Sequence, residues 1–571
     1  MQDSTVVENV DLSLENILTK ILNKISSLKS YAFDANREGI AHHQSARLNE
    51  AEECYRQALA IKPDFPEALN NLGIVLRARG RLEESARSYR SALTLRPNYA
   101  QAYNNLGNVL REMNRLEEAK ASYCAAIRVM PDYADAFCNL GDTLSAQFRT
   151  VEAQANYRRA LELKPGLSSA LVALCDLLEN SNNIDELRVL LDEIDDAQYI
   201  SSPGLALVKA KLLRRENNFY DAIFVLLKVK PESVTEPFLA SEIFATLGDL
   251  YDRVGSPEKA YECFVLGKKI AATNFSRHGA NKETYLKKII SEIESFKAQK
   301  NAILNVSYFK PIKLVFLVGF PRSGTTLLDS ILRSHPSVDV IEEKPMLSLV
   351  LIKISQYEKE NPDYLQQIDV GQLAELRQIY LDELEKYRDT TRLEALVIDK
   401  MPLNIAHADI IHCVFPEAKF ILALRDPRDC VLSCFMQNFM PNDAMANFLS
   451  VDDAANLYCT VMKIWACYEI ALSLASHRVR YEDIVTDFST TVQCLLDFLG
   501  LTWDDALSQF QSTALNRAQI RTPSYHQVVQ PIYQRASGRW IRYKKQIGHV
   551  FPVLQPWIKV FGYETSENEI T

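Results

Sequence analysis

Lys313-Leu-Val-Phe-Leu-Val-Gly-Phe-Pro-Arg-Ser-Gly-Thr-Thr-Leu-Leu-Asp-Ser-Ile-Leu-Arg-Ser-His335 decides the fold of the C-terminal half. The unbroken apolar run from Leu314 to Val318 is that of a central parallel strand, whose two faces are both covered by helices. Gly319 and Pro321 stop the strand, and Gly324 lets the backbone approach a ligand. From Thr325 the apolar residues Leu327, Leu328, Ile331 and Leu332 recur at helical spacing, so a helix begins at the loop. Such a loop aims backbone N–H groups and a helix N-terminus at one point, which suits an anion. Gly319-x4-Gly324-Thr325-Thr326 follows the pattern of a nucleotide-triphosphate loop except that Thr325 stands in place of its lysine. The cation is Arg322 instead, which argues against an ATPase or kinase.

Downstream, three more strand ends carry charged groups. Val338 to Ile341 leads to Glu342-Glu343-Lys344-Pro345, and a glutamate beside an anion loop can take a proton from a hydroxyl nucleophile. Leu396-Val-Ile-Asp-Lys400 ends in Asp-Lys-x-Pro, and a fixed cation there, with Arg322, would stabilise charge gathering on a leaving group. The apolar run Lys419 to Leu424 opens onto Arg425-Asp-Pro-Arg428-Asp-Cys-Val-Leu-Ser433, where a planar guanidinium fork and a short hydroxyl donor suit phosphate. Arg480-Tyr481-Glu482-Asp483 follows an apolar segment ending at Val479, and the late stretch Gln530-Pro-Ile-Tyr-Gln-Arg-Ala-Ser537-Gly-Arg539-Trp540 is rich in phosphate and ring partners.

Together these stretches resemble sulfotransferases. GFPRSGTTLL is similar to their 5′-phosphosulfate loop, most closely that of tyrosylprotein sulfotransferases, whose loop also carries arginine. The resemblance implies an α/β fold over residues 311–571 and 3′-phosphoadenosine 5′-phosphosulfate as co-substrate. Pro321, Arg322, Ser323, Gly324, Thr325 and Thr326 would cradle its 5′ end. Glu343 would be the catalytic base with Glu342 its neighbour, and Lys400 and Arg322 would meet the sulfuryl group and the bridging oxygen. Arg425 and Ser433 would bind the 3′-phosphate, Tyr481 the adenine or 3′-phosphate region, and Ser537, Arg539 and Trp540 phosphate and purine. Two departures stand out: Asp399-Lys400 replaces the family's Asn-Lys and leaves the lysine's orientation open, and Ser537 is one position off the family's late loop. His407 and His412 are alternative bases, since cytosolic sulfotransferases use histidine. No residue pattern requires a metal.

Upstream, Pro63, Pro97, Pro131 and Pro165 recur every 34 residues. Leu72-Gly73, Leu106-Gly107 and Leu140-Gly141 keep that period, as do the small residues Ala51, Ser85, Ala119 and Ala153 and the rings Tyr55, Tyr89, Tyr123 and Tyr157. This is the tetratricopeptide period. After Pro165 it weakens through Leu174, Leu187, Leu213 and Ala222, then returns at Leu247-Gly248, Ala260 and Phe264. About seven units are expected over 32–274, stacked as a superhelix with a concave groove. Asn71, Asn105 and Asn139 either face that groove or belong only to the repeat. Residues 1–31 hold an amphipathic helical pattern and 275–310 a lysine-rich helical joint.

Length and composition agree with this division. A chain of 571 residues exceeds one core, 47% hydrophobic and 24% charged residues are ordinary for a soluble protein, and a net charge of −9 disfavours nucleic acid as a partner. Eleven cysteines without a CxxC pair read as thiols of a reducing compartment. No signal-peptide pattern and no apolar run of about 18 residues is present, so the cytoplasm is expected although tyrosylprotein sulfotransferases work in the secretory pathway. The expected architecture is therefore an all-α tetratricopeptide-repeat superhelix followed by an α/β P-loop-type sulfotransferase domain with a central parallel sheet. Three functions stay open: sulfuryl transfer to a protein or peptide hydroxyl (tyrosine included) presented by the repeat groove, transfer to carbohydrate or lipid with the repeats serving assembly, and a non-catalytic repeat scaffold. Oligomeric state is open.

Overall fold

The computed structural model describes residues 29–298, 312–360, 368–389, 391–392, 395–515 and 536–563. The amphipathic pattern from Leu12 to Ile25, residues 299–311 of the joint, Gln530 to Arg535 and the tail from Glu564 lie outside them.

Seven helix pairs follow one another from residue 29: 29–44 with Leu48–Ile61, Pro66–Ala78 with Leu82–Leu95, Ala100–Glu112 with Leu116–Val129, Ala134–Ala146 with Thr150–Leu163, Ser168–Asn180 with Ile184–Asp192, Pro203–Arg215 with Phe219–Lys228, and Pro237–Arg253 with Pro257–Arg277. In five of them a glycine of the first helix lies under a ring of the second. A Cβ at Gly39, Gly73, Gly107, Gly141 or Gly248 would stand 2.5–2.7 Å from Tyr55, Tyr89, Tyr123, Tyr157 or Phe264. Ala51, Ser85, Ala119 and Ala153 are fully buried, and Ser85 Oγ donates to the Gly73 carbonyl at 2.6 Å. The recurrent asparagines link successive repeats. Asn71 donates to Asn36 at 3.2 Å, Asn105 to Asn70 at 3.0 Å and Asn139 to Asn104 at 2.9 Å, so a side-chain donor of each serves the stack.

Packing divides the chain into one unit up to Asp195 and another from Asp196. The last two helix pairs and the Lys282–Ala298 helix, which the sequence groups with the repeats and the joint, thus belong with the α/β half. The apolar core of that half also takes in Ala260 and Phe264 of the last repeat and Ile289 and Ile293 of the following helix.

Five parallel strands, β1 (Leu314–Gly319), β2 (Val338–Glu342), β3 (Leu396–Lys400), β4 (Lys419–Leu424) and β5 (Ala475–Arg480), stand in the order β2-β3-β1-β4-β5. Every residue of β1 is buried, which is why its sequence does not alternate. Phe316 and Val318 pack into one core with Phe420, Leu422 and Trp465, while Val315 and Leu317 meet Ile421, Leu328 and Ile331 on the other face. From β1 the chain passes to the edge strand β2, returns to β3 beside β1, and then crosses to β4 and β5 on the other side; α/β sheets bind ligands at the carboxyl ends beside such a reversal. All eleven cysteines are free thiols. Among the described residues no helix is long and apolar enough to cross a membrane.

The contact of glycine with ring predicts an asymmetry among glycines. Gly107→Ala must displace the fully buried Tyr123 ring, and overpacking of ~1–3 kcal/mol outweighs the ~1 kcal/mol gain in helix propensity. Gly166→Ala meets nothing within 4 Å. Calorimetry should show a lower melting temperature for the first variant and an unchanged one for the second; equal temperatures would refute the contact's importance.

Candidate functional site

The carboxyl ends of the strands gather the charged groups. β1 runs into the loop, where Arg322 has φ +70° and Gly324 φ +99°, the latter capping the Thr325–Ser334 helix. Thr325 and Thr326 are buried at its first turn, and the Pro321 carbonyl accepts from Cys434 Sγ at 3.2 Å, which ties the loop to the Pro427–Met436 helix after β4. A Cβ on Gly324 would come within 3.1 Å of the Tyr481 ring, so the Arg-Tyr-Glu-Asp element after β5 lies directly on the loop.

The two arginine elements also meet here. Arg322 Nε donates to Ser433 Oγ at 3.1 Å, and Arg425 Nη1 donates to the Arg322 carbonyl at 3.2 Å. The Tyr481 ring lies 5.4 Å from the Arg425 guanidinium. Burial pulls the Arg425 guanidinium down, but Asp429 and other nearby groups outweigh it and hold the group charged, with its pKa raised. Two buried polar atoms at this place, Arg425 Nε and Ser323 Oγ, have no hydrogen-bond partner among the described residues. Buried donors are normally paired, and oxygens of a phosphate or sulfate would satisfy both, so these residues fit an anionic group.

β3 delivers Lys400, whose side chain is fully buried. Its Nζ donates to Glu342 Oε1 at 2.9 Å and to Glu343 Oε1 at 2.8 Å. The strand register sets Glu342 opposite Lys400, and the Glu343 N–H donates to the Lys400 carbonyl at 2.9 Å. Glu343 then takes φ +49°, a region sparsely used by residues with a Cβ, and the chain leaves the strand there. Its side chain is 36% exposed against 8% for Glu342. Burial disfavours the Lys400 ammonium, yet Glu342, Glu343 and Asp329 outweigh it and raise its pKa. Asp329 carries no signature in the sequence. It is fully buried on the loop helix and pairs with Arg333 at 2.8 Å.

The open question of Asp399 has a physical answer. Neighbours along a strand point to opposite faces, and Asp399 Oδ2 accepts from Tyr380 OH at 2.6 Å, away from the glutamates. Burial pushes its carboxyl up to about 7. The glutamates therefore orient Lys400, and residue 399 does not. Of the alternative bases, His407 is pushed down to about 4 by burial, with Lys288 adding to the effect, and burial also lowers His412.

The late loop departs from expectation. Ser537 is exposed. Trp540 is 4% exposed, sandwiched between the Arg428 guanidinium, 3.7 Å from its ring centroid, and the edge of Phe551, so its ring is a core wall in place of the expected purine contact. Arg539 turns toward the last repeat and pairs with Asp252 at 2.9 Å in place of the expected phosphate contact. The loop's link to the site is made by its backbone: Arg425 Nη2 donates to the Ala536 carbonyl, and Asp429 accepts from the N–H groups of Gly538 and Trp540, each at 2.8 Å. Burial pushes Asp429 up to about 6 despite Arg425. Glu482 closes the arrangement, accepting from the Asp426 N–H at 3.1 Å and from Tyr563 OH at 2.8 Å.

Comparison with known proteins agrees with this geometry. Residues 315–505 match the model of the sulfotransferase family, and residues 39–77, 64–132 and 104–168 match tetratricopeptide-repeat models. An uncharacterized protein of Aquifex aeolicus is 24% identical over 385 residues, 65% of this chain and 49% of its own, so the chain spans about half of that relative. Protein-tyrosine sulfotransferase 2 of Gallus gallus is 24% identical over 43% of this chain and 69% of its own, and protein-tyrosine sulfotransferase 1 of Danio rerio 24% over 46% and 75%. The chain thus joins tetratricopeptide repeats to a sulfotransferase-family domain that resembles the protein-tyrosine enzymes.

Asp399 generates a pH prediction. Its folded pKa lies above the ordinary carboxylate value, so the native state binds the proton more tightly. The associated stability is complete below about pH 4 and is lost as pH rises through about 7. Asp399→Asn removes that loss, so the variant should gain ~4 kcal/mol over the parent at pH 8 and little at pH 4 in denaturant titrations. A pH-independent difference would refute the assignment.

Proposed function

We propose that the α/β half transfers a sulfuryl group from 3′-phosphoadenosine 5′-phosphosulfate to an acceptor hydroxyl. The observation that carries this reading is the junction of Arg322, Arg425 and Ser433, with bonds of 3.1 and 3.2 Å joining the loop suited to the 5′ end and the element suited to the 3′-phosphate. With the two elements in direct contact, a single nucleotide meets both at once, and a nucleotide without a 3′-phosphate would leave the Arg425 side unmatched.

In the proposed reaction the acceptor oxygen attacks sulfur in line. Its proton passes to Glu343, the more exposed of the two glutamates on Lys400. The bond between sulfur and the bridging oxygen breaks, its electron pair stays on that oxygen, and 3′-phosphoadenosine 5′-phosphate leaves. Arg322, Lys400 and the loop N–H groups face the oxygens on which charge collects, so they stabilise the transition state more than the ground state. As in phosphoryl transfer, positioning and electrostatics carry the catalysis. For Lys400 the two carboxylates provide a charged, oriented ammonium before substrate arrives.

The acceptor we favour is a hydroxyl of a protein or peptide, tyrosine included. The names of the relatives support it, and so does the sharing of one apolar core between the last repeat and the α/β half. Isothermal titration with 3′-phosphoadenosine 5′-phosphate should show binding; its absence would leave a repeat scaffold. Labelled-sulfate transfer into fractionated cell extract should mark protein, whereas label confined to glycan or lipid would exclude the peptide acceptor. Glu343→Gln should lower kcat by ~10²–10⁴-fold with nucleotide binding retained, and unimpaired turnover would remove Glu343 as the base.

A further inference from the structure

We infer that Asp252, on the first helix of the last repeat, is a positioning residue for the nucleotide's 3′-phosphate, acting through the 536–543 loop. The inference rests on the reading of Arg425 as the group that holds this phosphate. Asp252 is 3% exposed, yet its carboxylate gathers three donors from one loop: Arg539 Nη2 at 2.9 Å, Arg542 Nη1 at 3.2 Å and Tyr543 OH at 2.8 Å. Asp249, one turn earlier, stands 3.9 Å from Arg539 Nη2 and is held near 2, against burial, by Arg214, Arg253 and Arg539.

The repeat itself does not need an aspartate at this position. Four residues after the packing glycine the second and third repeats carry Arg77 and Arg111 and the fourth Ser145, while the last repeat carries Asp252 four residues after Gly248. The three partners named above, Arg539, Arg542 and Tyr543, lie in the late loop of the α/β half.

The other end of the same loop reaches the site. The Ala536 carbonyl accepts from Arg425 Nη2, and Asp429, on which Gly538 and Trp540 hang at 2.8 Å, lies 3.8 Å from that same nitrogen. Arg425 Nη1 is taken by the Arg322 carbonyl, which leaves Nε as the buried donor without a partner among the described residues. The angle at which the guanidinium presents itself thus depends on where Ala536 sits, and the residues that follow Ala536 are held by Asp429 at Gly538 and Trp540 and by Asp252 at Arg539, Arg542 and Tyr543. Removing the Asp252 charge while keeping its shape frees Arg539 and Arg542 and loosens the loop without altering the identity of any residue that would touch the nucleotide.

The test uses the full chain and two nucleotides, 3′-phosphoadenosine 5′-phosphate and adenosine 5′-phosphosulfate, which lacks the 3′-phosphate. Asp252→Asn should raise the Kd for the first by ~10-fold and for the second by less than ~2-fold, a typical size for coupling between sites. Arg539→Gln breaks the same pair from the loop side and should give the same selective loss, which covers the case in which the aspartate variant fails to fold. Equal losses for both nucleotides, or none in either variant, overturn the inference while the proposed function stands. Failure of the parent protein to bind 3′-phosphoadenosine 5′-phosphate overturns the proposed function itself.

Discussion

A fully buried ammonium is tolerable only with its counter-charges in place, and Lys400 sets that condition at the centre of the α/β half. Its two carboxylate partners come from the end of the neighbouring strand, held in register by parallel pairing, and a third charge comes from the helix that follows the loop. One side chain thereby fixes three elements of chain relative to one another. The turn at Glu343, with its unfavourable backbone angle, is where the demand for two carboxylates on one ammonium is met. Strain at this place has a use: a glutamate continuing the strand would point away from its neighbour.

The same logic runs through the cluster around Arg425. Arg425 is buried beside acidic groups, and both of its terminal nitrogens already donate to backbone carbonyls. Such an arginine is oriented before any phosphate arrives, so less rotational freedom is lost on binding. Tyr481, pressed against the glycine of the loop, closes the space between the two arginine elements from the side of β5.

Much of this was legible in the sequence because it is periodic or continuous. The 34-residue recurrence of glycine, small residue and ring reports a single contact made again and again, and the apolar run of β1 reports a strand with no solvent side. β5 was visible only through its last residues: it lies at the sheet edge, and Ser476, His477 and Arg478 carry no hydrophobic signal. The partners of Arg539 and Trp540, Asp252 and Arg428, were not legible because a motif names residue types and not their partners. Whether an arginine faces a phosphate or an aspartate depends on a helix far away in the chain, and nothing local to residues 536–543 announces Asp252. Asp329 escaped for the related reason that an aspartate on an amphipathic helix reads as solvated until the buried lysine beside it is known.

The continuity of the core across Ala260, Phe264, Ile289 and Ile293 governs where the polypeptide can be divided. A fragment beginning at β1 would bare the apolar face those four residues cover and lose the carboxylates that hold the late loop. Exposed apolar surface of that kind drives self-association. A piece beginning near Asp196 keeps that core and those carboxylates together, so the two terminal repeats belong to the α/β half as a packing unit.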